Sequence, residues 1–256
     1  MSNPQGRFSS RVANYIRYRP HYPQEVLTIL EQECGLSPQS VIADIGSGTG
    51  ILAVPFLKNG NKVFGVEPND DMRSAAESLL SHYKQFVSVG AAAERTNLTS
   101  ASVDFVIAGQ AFHWFDAELA RHEFRRILKN DGWVVLIWNE RKLDSTPFLR
   151  RYESLLLKWG TDYEKVRHEN TTRDLEGFFA PEVLHVRRTD NLQEFDLAGL
   201  EGRLYSSSYT PEPGSPNFAG MVSELRALFA EHAQSGKVAF EYETAIYFGH
   251  LPHKLQ

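Results

Sequence analysis

The chain of 256 residues has a single cysteine, Cys34. One cysteine excludes an intrachain disulfide and any metal or iron–sulfur site built from several cysteines, and it is typical of a reducing compartment. The sequence also lacks a long apolar run, because the longest, residues 133–138, is far shorter than the roughly 20 residues that span a bilayer. Residues 1–20 contain four arginines but no apolar segment of the kind that secretion needs. We therefore expect a soluble, cytoplasmic protein with no membrane partner.

No charge of one sign dominates the chain. Lysine and arginine number 27 against 32 aspartates and glutamates, which gives a formal net charge of −5. This balance argues against a protein whose whole surface binds nucleic acid. Hydrophobic residues make up 42% and charged residues 23%, which are the proportions of a folded globular protein rather than a disordered one. The length allows one large domain or two small ones.

Strand-like and helix-like segments alternate between residues 25 and 138. Helical stripes of apolar residues separate five apolar runs, and one stripe, Ala120 to Leu128, ends at a turn signal in residues 130–132. Strands joined through helices need crossover connections and predict a mostly parallel sheet that is covered on both faces. The predicted fold class is α/β, a doubly wound, Rossmann-like sheet. The five predicted strands are residues 41–45, 62–66, 86–89, 103–108 and 133–138.

The second half of the chain has fewer strand signals. Helical patterns occupy residues 146–160, 192–204 and 218–233, with a loop dense in proline and glycine at 210–217. Residues 237–248 alternate between apolar and polar side chains, which is the period of a strand with one wetter side, as expected near the edge of a sheet. We expect this strand to be an antiparallel edge strand of the same sheet, so that the chain forms one domain.

A glycine-rich loop, residues 46–50, follows the first predicted strand. Glycines after a buried strand permit a tight turn and let a ligand approach the backbone. Gly46 and Gly48 match the first two positions of the dinucleotide fingerprint G-x-G-x-x-G, but Ile51 occupies the third. No lysine follows Gly50, so the loop is not a phosphate-binding Walker loop.

Two acidic residues indicate which ligand the loop binds. Asp44, at the end of the first strand, would repel the pyrophosphate of NAD or FAD and would attract an ammonium group instead. Glu67, at the end of the second strand, is placed to accept hydrogen bonds from two ribose hydroxyls. S-Adenosylmethionine has an ammonium group and a ribose but no phosphate. The alternative is that Asp44 only caps the following helix.

With these features the chain resembles the class I S-adenosylmethionine-dependent methyltransferases, and more narrowly the small-molecule subgroup that includes trans-aconitate-methyltransferase-like proteins. The resemblance covers residues 8–140 well and residues 141–256 loosely. It implies a division into residues 1–37 (N-terminal lid and first helix), 38–140 (cofactor-binding core) and 141–256 (sheet completion and substrate cover, with helical lid elements). The segments that carry it are residues 15–23, 44–50, 65–69, 92–94, 110–115 and 138–139.

The resemblance also implies the residues that bind the cofactor, S-adenosylmethionine. The glycine loop would line its methionine end together with Gln110, Glu67 would bind the ribose, and residues after the second and third strands would meet the adenine. The N-terminal segment would fold over the cofactor. The expected cofactor ligands are Tyr15, Arg19, Asp44, Gly46, Ser47, Gly48, Thr49, Glu67, Asn69, Met72, Ala93, Glu94, Gln110 and Ala111.

His113 is the candidate catalytic residue, because it follows the fourth strand at the carboxyl end of the sheet and an imidazole can act as a base near neutral pH. Its alternative role is to hydrogen-bond a loop and orient Trp114. Phe112, Trp114 and Phe115 either wall an apolar pocket or pack under a helix. A carboxylate acceptor needs no base, whereas a hydroxyl or an ammonium must lose a proton.

Clusters of arginine and histidine have weaker interpretations. Arg11, Arg17 and Arg19 are candidates to hold an anionic acceptor, since guanidinium groups pair bidentately with carboxylates; the alternative is a solvated basic face. The basic residues from Arg121 to Lys129 complement a helix dipole, and we expect no nucleic-acid partner. His250 and His253 lack further ligands at metal-binding spacing, so no metal site is expected.

The leading prediction is a methyltransferase that acts on a small molecule, with a carboxylate oxygen as the first choice of acceptor atom. The alternatives are a NAD(P)-binding Rossmann oxidoreductase, which Asp44 and Ile51 disfavour, and a protein that binds S-adenosylmethionine without catalysis. A base-modifying methyltransferase is disfavoured, because residues 110–113 replace the Asn/Asp-Pro-Pro-aromatic motif of those enzymes.

Overall fold

The computed structural model describes residues 18–161, 163, 171–207 and 209–252. In these ranges the strands form a seven-stranded sheet. The strands are β1 (Val41–Ile45), β2 (Lys62–Val66), β3 (Phe86–Val89), β4 (Val103–Gly109), β5 (Leu128–Arg141), β6 (His185–Phe195) and β7 (Val238–Gly249). Their order in the sheet is β3-β2-β1-β4-β5-β7-β6. Strands β1 to β5 are parallel, and β7 is antiparallel to β5 and β6.

Helices cover both faces of this sheet. They are α1 (Glu25–Cys34), α2 (Ala53–Asn59), α3 (Asp70–Leu79), α4 (Ala117–Ile127), α5 (Pro147–Trp159), α6 (Thr171–Phe179), α7 (Leu197–Tyr205) and α8 (Pro216–His232), with a 3₁₀ turn at Phe112–Trp114. The predicted fold class is therefore confirmed. Pro55 lies in the first turn of α2, where its missing N–H has no intrahelical partner to lose, and α2 needs no kink.

The strands at the centre of the sheet are apolar on both faces, because each face meets a different layer of helices. Ile45 and Val106 pack with α4 and α6 in one layer. Ile42 and Ile107 pack with α1 and α2 in the other. Alternate residues of one strand thus serve opposite layers, which explains why the strands read as continuous apolar runs. A third apolar cluster joins α5, α7 and α8 to the first half of β7.

Three predictions about elements were wrong. Leu192 belongs to β6 rather than to a helix, since α7 begins only at Leu197. Residues 130–132 do not end α4, which stops at Ile127; they lie in a bulge of β5, where Leu128 pairs with Val103 and Trp133 pairs with Phe105. The second half is not poor in strands, because it supplies both β6 and β7.

The antiparallel edge of the sheet consists of two strands. The predicted strand β7 pairs with β5 on one side, and β6, which the sequence analysis missed, pairs with it on the other and forms the edge. The first half of β7 alternates between buried and partly exposed residues as predicted. Both strands extend the sheet that holds the glycine loop, while the division into 1–37, 38–140 and 141–256 stays a prediction. No helix in the described ranges is long and apolar enough to cross a membrane.

Candidate active site

The sheet reverses its winding between β1 and β4. From β1 the chain proceeds outward through β2 and β3, and then returns to β4 on the other side of β1. Loops that leave the carboxyl ends of two such neighbours part in opposite directions and open a crevice, which is where open α/β sheets bind ligands. The glycine loop follows β1 and Gln110 follows β4, so both lie at this crevice.

The glycine loop makes a tight turn against the neighbouring strand. The backbone N–H groups of Gly46 and Ser47 both donate to the carbonyl of Val66 in β2, at 2.9 and 3.2 Å. Gly46 has φ +66°, and a Cβ on it would lie 2.7 Å from the Cβ of Ala111. Gly46 therefore needs glycine twice, for its conformation and for its contact with the segment after β4.

Glu67 ties the glycine loop to the turn after β2. Its Oε2 accepts a hydrogen bond from the Gly48 N–H at 2.9 Å, and its Oε1 accepts one from the Asn69 N–H at 2.8 Å. Burial raises the pKa of Glu67 and outweighs the two N–H groups and Arg73, which lower it. Each oxygen keeps a second lone pair, so the carboxylate can also accept two hydroxyl hydrogen bonds from a ligand.

Asp44 and Thr49 are buried polar residues whose side-chain oxygens have no partner in the described part of the chain. Asp44 is 1% exposed, and neither of its carboxylate oxygens accepts a hydrogen bond; the same is true of Thr49 Oγ1. Burial, with a smaller contribution from the negative charge of Glu67, raises the pKa of Asp44 to about 8. Buried acceptors of this kind are expensive unless they are paired, so the site is built for a ligand that donates hydrogen bonds and carries positive charge.

The other predicted ligands of the adenine lie on the turns after β2 and β3. Asn69 caps α3, since its side-chain oxygen accepts a hydrogen bond from the Met72 N–H at 3.0 Å, and both side chains are buried. Ala93 is buried in the core layer next to α4. Glu94 is partly buried, and its Oε1 accepts a hydrogen bond from the Asp116 N–H at 2.9 Å, which connects the segment after β3 to the start of α4.

The segment after β4 is held in an unusual conformation. Gln110 has φ +55°, a left-handed value that is rare for a residue with a side chain. Its side-chain amide donates to the carbonyl of Asn139 at 2.8 Å, and its N–H donates to the carbonyl of Ile137 at 2.9 Å. These two bonds to β5 stabilise the turn after β4, from which the chain continues along the crevice to Ala111.

His113 lies in the 3₁₀ turn that follows, partly buried, with its ring centroid 4.7 Å from that of Trp114. Phe112 is buried and packs edge-on against Phe115 and Phe178. Of the two predicted roles for the aromatic residues, packing under a helix describes Phe112. Trp114 is 40% exposed.

Comparisons with known proteins agree with this architecture. A family model described as a methyltransferase domain matches residues 43–136. An uncharacterised methyltransferase of Mycobacterium tuberculosis is 34% identical over 240 residues, which cover 93% of this chain and 92% of that protein. The chain is a class I S-adenosylmethionine-dependent methyltransferase. An uncharacterised methyltransferase of Schizosaccharomyces pombe is 32% identical to this methyltransferase over 59% of each chain.

Solved structures share the fold of this methyltransferase. A candidate type II methyltransferase from Anaeromyxobacter dehalogenans superposes with a TM-score of 0.70 at 24% identity, covering 92% of this chain and all of that one. Phosphoethanolamine N-methyltransferase 2 of Haemonchus contortus, in complex with phosphomonomethylethanolamine and S-adenosylhomocysteine, superposes with a TM-score of 0.55 at 14% identity over 95% of this chain and 57% of that one.

The residues at the crevice fit the cofactor of the family. Asp44 offers two buried, unpaired acceptor oxygens to an ammonium group, and Glu67 offers further lone pairs to vicinal hydroxyls. Two acids beside the glycine loop are unsuited to a pyrophosphate. The alternative of a NAD(P)-dependent oxidoreductase is wrong, because the chain belongs to the methyltransferases.

One predicted cofactor ligand lies outside the described residues, and another contacts the second half of the chain. Tyr15, together with Arg11, Arg17 and His253, lies outside the described residues. Arg19 donates a hydrogen bond to the carbonyl of Ser206, just after α7, at 3.2 Å. Its guanidinium thus lies with the second half of the methyltransferase, although it belongs to the predicted lid segment.

The basic residues from Arg121 to Lys129 do not all belong to α4, because Lys129 lies in β5, and those named next form contacts within the fold. Arg126 pairs with Glu123 at 2.7 Å and Lys129 pairs with Asp104 at 2.8 Å. His250 stacks on Trp133 with 3.8 Å between ring centroids. No group of three or more metal-binding side chains is present in the described ranges. The absence of a nucleic-acid partner stays a prediction.

The sequence analysis missed a second polar cluster, which lies among α5, α7 and the ends of β5 and β7. Arg141 pairs with Glu153 and donates to the Tyr163 hydroxyl at 3.0 Å. Arg203 donates to the Ser207 hydroxyl at 3.0 Å. These residues are far apart in the sequence and follow no motif. The signal that they share in the sequence is a charged or phenolic side chain at a position where the pattern of the helix or strand is otherwise apolar. The members of this arginine–tyrosine cluster are Arg141, Tyr152, Glu153, Tyr163, Arg203, Tyr209 and Tyr242.

Proposed function

We propose that this methyltransferase transfers a methyl group to a carboxylate oxygen of a small-molecule acid. The observation that carries the proposal is an excess of buried positive charge beside the crevice. Arg141 and Arg203 are almost fully buried, but Glu153 is the one acid among the described residues of the cluster. Buried charges are normally paired, so these arginines favour an anionic acceptor.

S-Adenosylmethionine, when bound, supplies an activated methyl group on a sulfonium. In this proposal Asp44 and the glycine loop hold the methionine end, and Glu67 holds the ribose, with Asn69, Met72, Ala93 and Glu94 around the adenine. The protein then gains rate by aligning the acceptor oxygen with the methyl group and by excluding water.

A carboxylate acceptor needs no general base, since its oxygen is already anionic near neutral pH. His113 would then orient Trp114 rather than remove a proton. A hydroxyl or ammonium acceptor would require a base, and His113 is the candidate for that role. The N-methyltransferase of Haemonchus contortus has an amine as acceptor, as its name states, so an amine is the contrasting case for the test.

The test is an assay with methyl-labelled S-adenosylmethionine and a panel of small acids, alcohols and amines, followed by mass spectrometry. We expect a labelled product that alkali hydrolyses to the parent acid and methanol, which identifies an ester. We expect no product from Asp44→Ala. Arg187→Gln, which changes an exposed arginine paired with Glu33 on the outer strand β6, is the matched control and should behave as wild type.

Two further measurements separate the parts of the proposal. S-Adenosylhomocysteine should raise the Tm of wild type and leave that of Asp44→Ala unchanged, while NAD(H) should shift neither. A labelled product that resists alkali, together with loss of activity in His113→Gln, would replace the carboxylate with a hydroxyl or an amine acceptor, and mass spectrometry of the product distinguishes these two. A chain that binds S-adenosylhomocysteine but labels no acid, alcohol or amine would instead be a non-catalytic binding protein.

A further inference from the structure

The arginine–tyrosine cluster contains buried polar groups that none of the described residues satisfies. The side chain of Arg141 is 9% exposed, and its Nη1 has no hydrogen-bond partner in the described ranges. The hydroxyl of Tyr152, a residue that is 1% exposed, has no partner there either. The guanidinium of Arg141 lies 5.1 Å from the centre of the Tyr152 ring, so both unsatisfied donors belong to one place. An unpaired buried donor costs free energy, which indicates that something else accepts these hydrogen bonds.

Arg203 supplies a second positive charge without an acid beside it. Its residue is 6% exposed, and its hydrogen bonds go to neutral hydroxyls, those of Ser207 and, at 3.4 Å, Tyr242. No carboxylate of the described residues forms an ion pair with it. Glu153 neutralises one arginine, Arg141, and it also accepts a hydrogen bond from Tyr163 at 2.6 Å. Among the described residues, the cluster therefore has one positive charge more than it has negative ones.

Tyr209 responds to this unbalanced charge. Burial alone would raise the pKa of Tyr209, but the guanidinium of Arg203, with help from Ser207, Arg19 and Arg141, lowers it. The positive potential of the cluster is thus strong enough to favour a negative charge on a phenol. A ligand with an acidic group would meet the same potential.

The cluster adjoins the crevice through two short connections. Arg141 is the last residue of β5, and Asn139, two positions earlier, accepts the hydrogen bond of Gln110 at the end of β4. On the other side, Arg19 reaches Ser206, and Tyr22 touches Gly109, the residue before Gln110. Arg19 and Tyr22 are three residues apart, which spans at most about 11 Å. Short stretches of β5 and of the segment before α1 therefore connect the cluster to the crevice.

We infer that Arg141 and Arg203, with the hydroxyl of Tyr152, form a subsite that binds an acidic group of the acceptor other than the oxygen that receives the methyl. This inference rests on the proposed function and adds to it a second anionic group on the acceptor. Arg141 and Arg203 are positioning residues here, because they hold the acceptor at a distance from the reacting oxygen. The bound group is a carboxylate or a phosphate, since a guanidinium pair recognises both.

The test compares acceptors that differ only in the second acidic group. Protein loaded with S-adenosylhomocysteine is titrated calorimetrically with linear dicarboxylates of four to six carbons, with butyrate, and with inorganic phosphate. The same acids are then assayed with labelled S-adenosylmethionine. We expect wild type to bind a dicarboxylate more tightly than butyrate and to methylate it with a lower KM. Binding of phosphate without a preference for dicarboxylates over butyrate would assign the subsite to phosphate esters.

The variants are Arg203→Gln, Arg203→Lys and Tyr152→Phe. Losing a charged hydrogen-bonding partner should raise the KM for the dianionic acceptor about tenfold to a hundredfold relative to the KM for butyrate, with a much smaller change in kcat. Arg203→Lys keeps the charge and should fold, yet it should recover only part of the affinity because lysine lacks the forked geometry. Arg187→Gln is the surface control, and Tyr83→Phe, at a partly buried tyrosine packed on the layer of α1 and α2, is the control for loss of a hydroxyl.

The outcomes separate this inference from the proposed function. If the variants still bind S-adenosylhomocysteine and methylate butyrate and dicarboxylates with the same KM as wild type, the subsite is refuted while carboxylate methylation stands. The same holds if the Tm falls but KM ratios stay constant, since that is the signature of a role in packing alone. If wild type binds S-adenosylhomocysteine but methylates no acid, the proposed function fails first.

Discussion

The backbone N–H of Gly48 donates a hydrogen bond to Oε2 of Glu67 at 2.9 Å. One carboxylate thereby joins the loop after β1 to the turn after β2, because its other oxygen holds the N–H of Asn69. The same side chain that is expected to bind the ribose thus also fixes the shape of the loop that surrounds the methionine end. Cofactor affinity and loop geometry are coupled through Glu67.

We predict that Glu67→Gln weakens binding of S-adenosylhomocysteine by about tenfold to a hundredfold, which corresponds to the loss of a charged acceptor worth about 1.5–3 kcal/mol. The amide of glutamine has one acceptor oxygen, so it cannot receive both N–H groups. Isothermal titration calorimetry measures the change. Glu231→Gln, which removes an acid from an exposed pair with Arg151, should bind as wild type does. Unchanged affinity in Glu67→Gln would contradict the coupling.

Asp44 should make the stability of the ligand-free protein depend on pH. Burial and the charge of Glu67 raise its pKa to about 8 from an ordinary value of 3.8. Between these values the folded state holds a proton that the unfolded chain has lost, so the free energy of unfolding falls as pH rises, by up to about 1.36 kcal/mol per pH unit. Denaturant unfolding measures this free energy for wild type and for Asp44→Asn across the pH range. As pH rises, the free energy of unfolding of wild type should fall relative to that of the variant.

The same carboxyl should release its proton when a cationic ligand binds. Near pH 6.5 the Asp44 carboxyl is protonated in the free protein, and an ammonium group beside it would favour the carboxylate. Calorimetry in buffers with different ionisation enthalpies should therefore detect close to one proton released per site on binding S-adenosylhomocysteine. A variant at Glu67 that still binds should release as many protons as wild type does, which would identify Asp44 as the source. If wild type releases no proton, the pairing of Asp44 with the ammonium group is refuted.

The cofactor side of the crevice could be predicted because its residues follow one another in the sequence. Asp44, Gly46 and Gly48 form one motif, and Glu67 ends the next strand, so their order along the chain already implies that they meet at the carboxyl edge of a parallel sheet. The structure brings these residues together. Local sequence determines such a site because each strand delivers its last residue to the same edge.

The remaining features depend on tertiary contacts that no local pattern encodes. Gln110 adopts a left-handed conformation because β5 accepts its amide hydrogen bond, and nothing in the neighbouring residues requires it. Arg141 and Arg203 meet only after β5 and α7 have packed. Only the last residues of strand β6 fall in the predicted helix 192–204, and the rest gives no strand signal because this edge strand carries charged residues, such as Arg187 and Arg188, in place of an apolar run.

Gly46 and Gly48 provide a matched pair of substitutions. Both have positive φ, +66° and +55°, so alanine at either costs about 1–2 kcal/mol in backbone strain. At Gly46 the new Cβ would also lie 2.7 Å from the Cβ of Ala111, while at Gly48 it would meet open space. We predict that Gly46→Ala lowers the free energy of unfolding by about 1–3 kcal/mol more than Gly48→Ala, as overpacking usually does. Denaturant unfolding measures the difference, and equal losses would show that Ala111 moves away without cost.

Tyr209 should report the charge of the arginine–tyrosine cluster. Because Arg203, Ser207, Arg19 and Arg141 together overcome the effect of burial and lower the pKa of Tyr209 below its ordinary value of 10.0, the folded state releases this proton before the unfolded chain does. Wild type should therefore gain stability relative to Tyr209→Phe as pH rises toward 10, and lose that advantage as pH falls through the lowered pKa. Ultraviolet titration of tyrosinate should show one tyrosine that ionises early in wild type and is missing in Tyr209→Phe.

In Arg203→Gln, if Arg203 provides the dominant charge, the same tyrosine should ionise later. An anion bound between the arginines would share their positive charge, so it should also delay the ionisation, and a dicarboxylate that leaves the titration of Tyr209 unchanged would have to bind elsewhere.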